Sequence, residues 1–279
     1  MNHAALVAST LCFLLGFGYV LFTLGARSYR PSRFQFVVMA AGFAFQTLFL
    51  YQRGKVIGRC PLTNLFEVIV FLSWAMVLFY LVIGANYRLS LLGAFTAPLA
   101  FALQTFALIS GLDSISPRMP VNPYLEFHAA FSLMGYGAFV LAGLAGGMYM
   151  LQERQLKTHR LNAAFFELPP IHSLGIANGR LIAVGFVLLT IGMLAGFGVG
   201  HVPSSFKLGW SIGVWLLYGG ILVAQWVRHL APRRVANLSV FASCLAIATL
   251  WGITFIGDSK PARAERSPGV RQLCPAAHV

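Results

Sequence analysis

Apolar runs of about 20 residues, long enough to cross a hydrocarbon core as a helix, recur along this 279-residue chain with short charged breaks between them. This repetition constrains the fold more than any other feature, because backbone placed in lipid has two solutions only, the α-helix and the closed β-barrel. The runs lack the residue-by-residue alternation of barrel strands and are too long for them, so helices are expected. Eight runs qualify as spans, at roughly 4–25, 34–51, 64–84, 89–110, 127–151, 178–199, 210–227 and 236–257. The composition, 58% hydrophobic and 10% charged, excludes an ordinary soluble domain. The expected fold class is all-α: a polytopic membrane helix bundle of eight transmembrane helices over residues 1–258, followed by a disordered basic tail over 259–279.

A formal charge of +13 would suggest nucleic acid in a soluble protein. Here Lys and Arg cluster between the apolar runs, where they set topology, and no nucleic-acid partner is expected. Eight spans put both termini on one side. One set of loops carries Arg27, Arg30, Arg33, Arg88, Arg154, Lys157, Arg160, Arg228, Arg233 and Arg234. The other carries Arg53, Lys55, Arg59, Arg118 and Lys207, half as many once the tail is set aside. The richer set is assigned to the cytoplasm, so both termini and the segments near Arg59, Met119 and Pro203 are expected outside. The first run has no basic start and no small-residue cleavage site, and reads as a retained helix. Lipid is the surrounding partner, in a bacterial inner membrane.

The longest internal connection, residues 152–177, falls on the cytoplasmic side. Its first half extends the fifth helix until Pro169 and Pro170 stop it. With Glu153, His159, Glu167 and His172, it is either a surface for a cytoplasmic partner or a solvated connector. Small-residue ridges occur at Gly192, Gly196 and Gly200 and at Gly143 and Gly147, where helices are expected to approach closely. The cysteines at 12, 60, 244 and 274 form no C-x-x-C pair, which argues against thiol redox chemistry and a covalently attached haem. A Cys60–Cys274 disulfide is left open on spacing. No hydrolase, phosphate-loop or metalloprotease motif is present, so the chain is not expected to be an enzyme by itself.

Asn64 and Glu67 have the spacing of an N-cap and its third helical residue, with Pro61 keeping the approach extended. Asn122 and Pro123 form another N-cap and first-position pair, which places His128 about two turns into the fifth helix, near the outer interface. Its imidazole can either bond a neighbouring carbonyl or give a lone pair to a metal. Ser132, Gly135, Tyr136 and Phe139 share its helical face, offering small residues and aromatics to a flat ligand.

The stretch PLTNLFEVIVFLSW, Pro61 to Trp74, resembles the P-L-x-N-x-x-E-x-x-x-F-x-x-W signature of the cytochrome c assembly family, which includes the CcsA/ResC, CcmC and HemX types. Phe127 to Lys157 resembles that family's His-bearing fifth helix. Leu174 to Phe197 resembles its sixth, with N-x-R-L-x-x-x-G-F at Asn178 to Phe186. The likeness covers about residues 55–255 and keeps the order of the motifs. It implies haem handling in cytochrome c assembly: haem b held at the outer face, with His128 as an iron ligand and other cytochrome c biogenesis subunits as partners. His201 is not at a family position, but it lies in the outer loop as a candidate second ligand. Trp210 and Tyr136 are candidates to pack on haem, and Arg59, Arg118 and Lys207 to pair with its propionates. The family's W-D-P loop core is missing from Gly200–Gly220, and its other histidines have no match around Val223 or in WGITFIGDSK. These departures suggest the HemX-like branch, whose implied role is a regulatory or scaffold protein of haem metabolism without bound haem.

Overall fold

The computed structural model describes residues 3–25, 33–87, 90–113, 121–157, 171–199, 205–228 and 230–258. Among the described residues there are eight helices and no strand: α1 (Ala4–Gly25), α2 (Arg33–Ile57), α3 (Leu65–Tyr87), α4 (Ser90–Ile109), α5 (Pro123–Lys157), α6 (Ile171–Phe197), α7 (Ser205–Val227) and α8 (Pro232–Asp258). Among the described residues, α1 to α7 are each long and apolar enough to cross a membrane. The eighth has spanning length and packs on α5. The chain is a multi-pass membrane helix bundle.

Helix α5 organises the bundle. It contacts α3, α6 and α8, while α1 pairs with α2 and α4, and α7 rests on α6 and α8. Large apolar side chains such as Phe22, Leu194 and Trp226 face outward, and polar ones such as Ser9, Gln46, Gln104 and Asn178 are buried. That inversion of a soluble protein fits lipid as the outer solvent. Buried polar groups find partners across helices: Thr10 Oγ1 donates to Gln104 Oε1 (2.8 Å) and Gln46 Nε2 to Val70 O (2.9 Å).

Helices end where local chemistry stops them. Asn122 Oδ1 accepts from Tyr124 N at 3.1 Å, and the helix begins at Pro123 as the sequence predicts. Gly58 takes φ +76° after α2 and its N–H bonds Gly54 O at 2.8 Å, a left-handed glycine cap. Helix α2 therefore runs six residues beyond the expected end at 51. Arg53, assigned above to an outer loop, lies inside that extension and is fully buried. A cation enters the apolar interior because two carboxylates meet it there.

Both described ends of the 152–177 connection are helical, and the extension of the fifth helix expected there is seen as far as Lys157. Helix α5 continues to Lys157 and α6 starts at Ile171, directly after the proline pair, a position where proline is compatible with a helix start. The stretch with His159 and Glu167 lies outside the described residues, as does the 259–279 tail. At this end of the bundle Glu153 bonds Lys157 (2.8 Å) and Arg233 (3.3 Å), joining α5 to α8.

Candidate functional site

The opposite end of the bundle carries two polar constellations. The first surrounds Arg53. Its Nε donates to Glu67 Oε1 at 2.8 Å and an Nη donates to Asp113 Oδ1 at 2.6 Å, while Asp113 Oδ2 is 3.1 Å from His3 Nε2. Arg53 and Glu67 are completely buried, and Asp113 is a quarter exposed. Phe66 lies under the guanidinium, 5.7 Å from ring centre to Cζ. The start of α1, the end of α2, the start of α3 and the segment after α4 are thus tied together.

Asn64 caps α3 as its spacing predicts, with Oδ1 accepting from Glu67 N at 2.8 Å. The Glu67 carboxylate reaches one residue further back than a capping box requires. Its Oε2 accepts from Thr63 N at 2.7 Å and from Thr63 Oγ1 at 2.8 Å. Its other oxygen is committed to Arg53. Sequence reasoning took Glu67 for a cap alone and missed this network; the available signal was a cation one turn inside the end of an apolar helix, followed by an acid at the entrance of the next.

Cys60, between α2 and α3, carries no disulfide among the described residues, and Cys274 falls outside them. Its thiol is pushed up to about 11, first by burial and then by the negative charges of Glu126 and Glu67. That coupling brings the Cys60 segment to the beginning of α5. Arg59, its neighbour, is half-buried, and its Nε is enclosed without a hydrogen-bond partner among the described residues. Glu126 Oε1 is likewise enclosed and unpaired.

The second constellation is built on His128. Its ring is half-buried between α5 and α6, with Nδ1 2.8 Å from Gly192 O. The carbonyl-bonded reading of this histidine is therefore realised at one ring nitrogen; Nε2 has no partner among the described residues. Helix α6 lies very close. A Cβ at Gly196 would stand 2.8 Å from His128 Nδ1, one at Gly192 2.5 Å from Ser132 Oγ, and one at Gly198 2.6 Å from Tyr124. The face of α5 expected to receive a flat ligand is consequently filled by α6 below His128. Ser132 meets Gly192, Gly135 meets Gly185 and Leu189, and Phe139 stacks on Tyr218 with ring centres 3.5 Å apart. Tyr136 packs edge-on against Phe139, two turns deeper than His128.

Trp210 sits partly buried near the start of α7, against the main core. Lys207 falls in the first turn of α7 with its side chain outside the description, and Arg118 and His201 lie outside the described residues. Among the described residues no three His, Cys, Asp or Glu side chains group as a metal site. A single imidazole lone pair does not make a zinc or calcium centre, which needs several protein ligands, but it suits axial coordination of an iron already held by a porphyrin.

Comparison with known proteins agrees with the motifs. The chain is 24% identical to the cytochrome c biogenesis protein CcsA of Guillardia theta, over 76% of this chain and 79% of the relative. It is 24% identical to that of Synechococcus sp. strain CC9902 (82% and 85% covered) and 26% identical to that of strain RCC307 (78% and 82%). These relatives are CcsA proteins, so the HemX-like placement drawn from the missing W-D-P core finds no support. Departures at the loop core and at single histidine positions weigh less than similarity spread over three-quarters of the chain. The profile of the family described as "Cytochrome C assembly protein" matches residues 62–258, from the α3 cap to the end of α8, and this chain belongs to that family.

Proposed function

We propose that the chain is a haem-handling membrane component of cytochrome c assembly, working with other subunits of that machinery and holding haem b as cargo at the end of the bundle that carries His128. The observation that carries this reading is His128 itself. In a family member, at the position where the motif resemblance puts that family's histidine, one ring nitrogen is anchored to the protein and Nε2 is left as a donor. The chain's part is to bind, orient and pass on haem, with no bond-making step of its own. Arg59, whose enclosed Nε has no acceptor, suits a propionate, and we assign Arg118 and Lys207 the same role. His201 is the proposed second axial ligand, and Trp210 flanks the site. The bundle end with His3, Asp113 and His128 faces outward from a bacterial inner membrane, in line with the cyanobacterial relatives and with the basic residues gathered at the other end.

Purification in mild detergent from haem-replete cells is expected to yield a Soret band that His128→Ala removes or strongly reduces, with an unchanged elution profile. A colourless wild-type preparation would falsify the reading and favour a haem-free scaffold instead. In that case a specific soluble protein captured by the 152–177 connection is the next expectation.

A further inference from the structure

Two glycines one turn apart on α6 hold the His128 ring. Nδ1 lies 2.8 Å from the Gly192 carbonyl. An oxygen of this kind only accepts, so in the neutral ring Nδ1 carries the proton and Nε2 the lone pair. The carbonyl's other lone pair is free to keep the ordinary helical bond to the residue four ahead. A Cβ at Gly196 would stand 2.8 Å from Nδ1 and 3.3 Å from Cε1, so any side chain there displaces the ring. A Cβ at Gly192 would stand 2.5 Å from Ser132 Oγ and 2.9 Å from Ser132 N, so its absence sets how near the carbonyl comes to α5.

Resting on the haem reading above, we propose that Gly192 and Gly196 are positioning residues for haem binding. The Gly192 carbonyl locks His128 in the Nδ1–H tautomer and strengthens Nε2 as an iron donor, and Gly196 keeps the room that this bond requires. The ridge thereby becomes part of the ligand's outer shell as well as a helix contact. Ligating histidines gain basicity from a partner on the second ring nitrogen, and removing such a partner costs roughly 10–100-fold in affinity.

The tautomer is testable without haem. In haem-free protein labelled with 15N-histidine, at a pH well above 7, the resonance lost in His128→Gln is expected in the Nδ1–H form; an Nε2–H form overturns the proposal whatever haem does. With haem, Gly196→Ala is expected to bind roughly tenfold or more weakly. Gly147→Ala, whose Cβ meets nothing within 4 Å, is expected to bind as wild type. Equal affinities for Gly196→Ala and wild type overturn the proposal.

Gly196→Ala also disturbs packing, so a second measurement isolates the hydrogen bond. In His128→Gly, 4-methylimidazole and 1-methylimidazole fill the vacated ring position with the same bulk, and only the first keeps an N–H when bound to iron. The first is expected to restore the Soret band at roughly tenfold lower concentration, and equal potency sinks the carbonyl's role. A wild-type protein with no Soret band overturns the haem reading and this proposal together, whereas the wrong tautomer or equal ligand potency overturns the proposal alone.

Discussion

Arg53 is the residue whose burial most needs an energetic account. A guanidinium without water is costly, and attraction to Glu67 and Asp113 offsets that cost only while every partner stays in place. Glu67→Gln preserves the shape of the side chain and one acceptor for Thr63, but it leaves Arg53 with a single, partly exposed carboxylate. It is expected to lower the unfolding free energy by about 3–5 kcal/mol, read by denaturant titration in mixed micelles; an unchanged midpoint would contradict the network. Arg53→Met together with Glu67→Leu is expected to recover only part of the loss, because Asp113 then keeps His3 alone. Cys60 reports on the same region through pH. Only the thiolate reacts with alkylating reagents, and a thiol raised from 9.0 to about 11 stays protonated until the pH passes well beyond 9. Its labelling rate in the folded protein is expected to climb with pH to about 11, and Glu126→Gln, by removing one of the charges responsible, to speed labelling at pH 9. A rate that levels off near pH 9 in the wild type would show that the pocket does not shift the thiol. Stability drawn from the protonated thiol is present below pH 9 and is lost as the pH rises toward 11.

At the scale of elements, the existence of eight helices was legible because hydropathy and length act on each run separately. The Asn64 and Asn122 caps were legible too, because capping is local chemistry. Boundaries failed where a neighbour decided them. Helix α2 keeps winding past its apolar run because Arg53 is neutralised by residues 14 and 60 positions away in sequence, a compensation that no window on α2 contains. The ridges divide in the same way. Gly192 and Gly196 both face α5 closely, as their spacing predicts, whereas Gly143 packs on Ser243 and Gly147 faces open space. Gly146 is the glycine that joins Gly143 against α8, where a Cβ would stand 2.5 Å from Ser239 Oγ. A four-residue spacing identifies a helix face, but which face meets a partner depends on the crossing geometry. For the candidate site, His128 was legible as a residue, and the carbonyl that binds its ring was not, since every residue supplies the same carbonyl.

For the whole molecule, the distribution of charge joins fold to function. Lys157 and Arg233 each bond Glu153 at one end, where Arg154, Arg228 and Arg234 also lie; His3, Arg53, Asp113 and His128 occupy the other. The alternating helices make these ends opposite faces of the membrane, so on the haem reading proposed above the side on which haem is held follows from the orientation of the bundle. Basic residues flanking spans favour the cytoplasm, and the outward orientation of His128 proposed above rests on that rule. In a cysteine-free background, a single cysteine at the exposed Val121 is expected to react with a membrane-impermeant maleimide in intact cells or spheroplasts, and one at Gln155 only after permeabilisation. The reverse pattern would place His128 on the cytoplasmic side. Haem would then be received there, and the outward presentation proposed here would give way to uptake from the cytoplasm, with the same histidine and the same glycine clamp serving the opposite face.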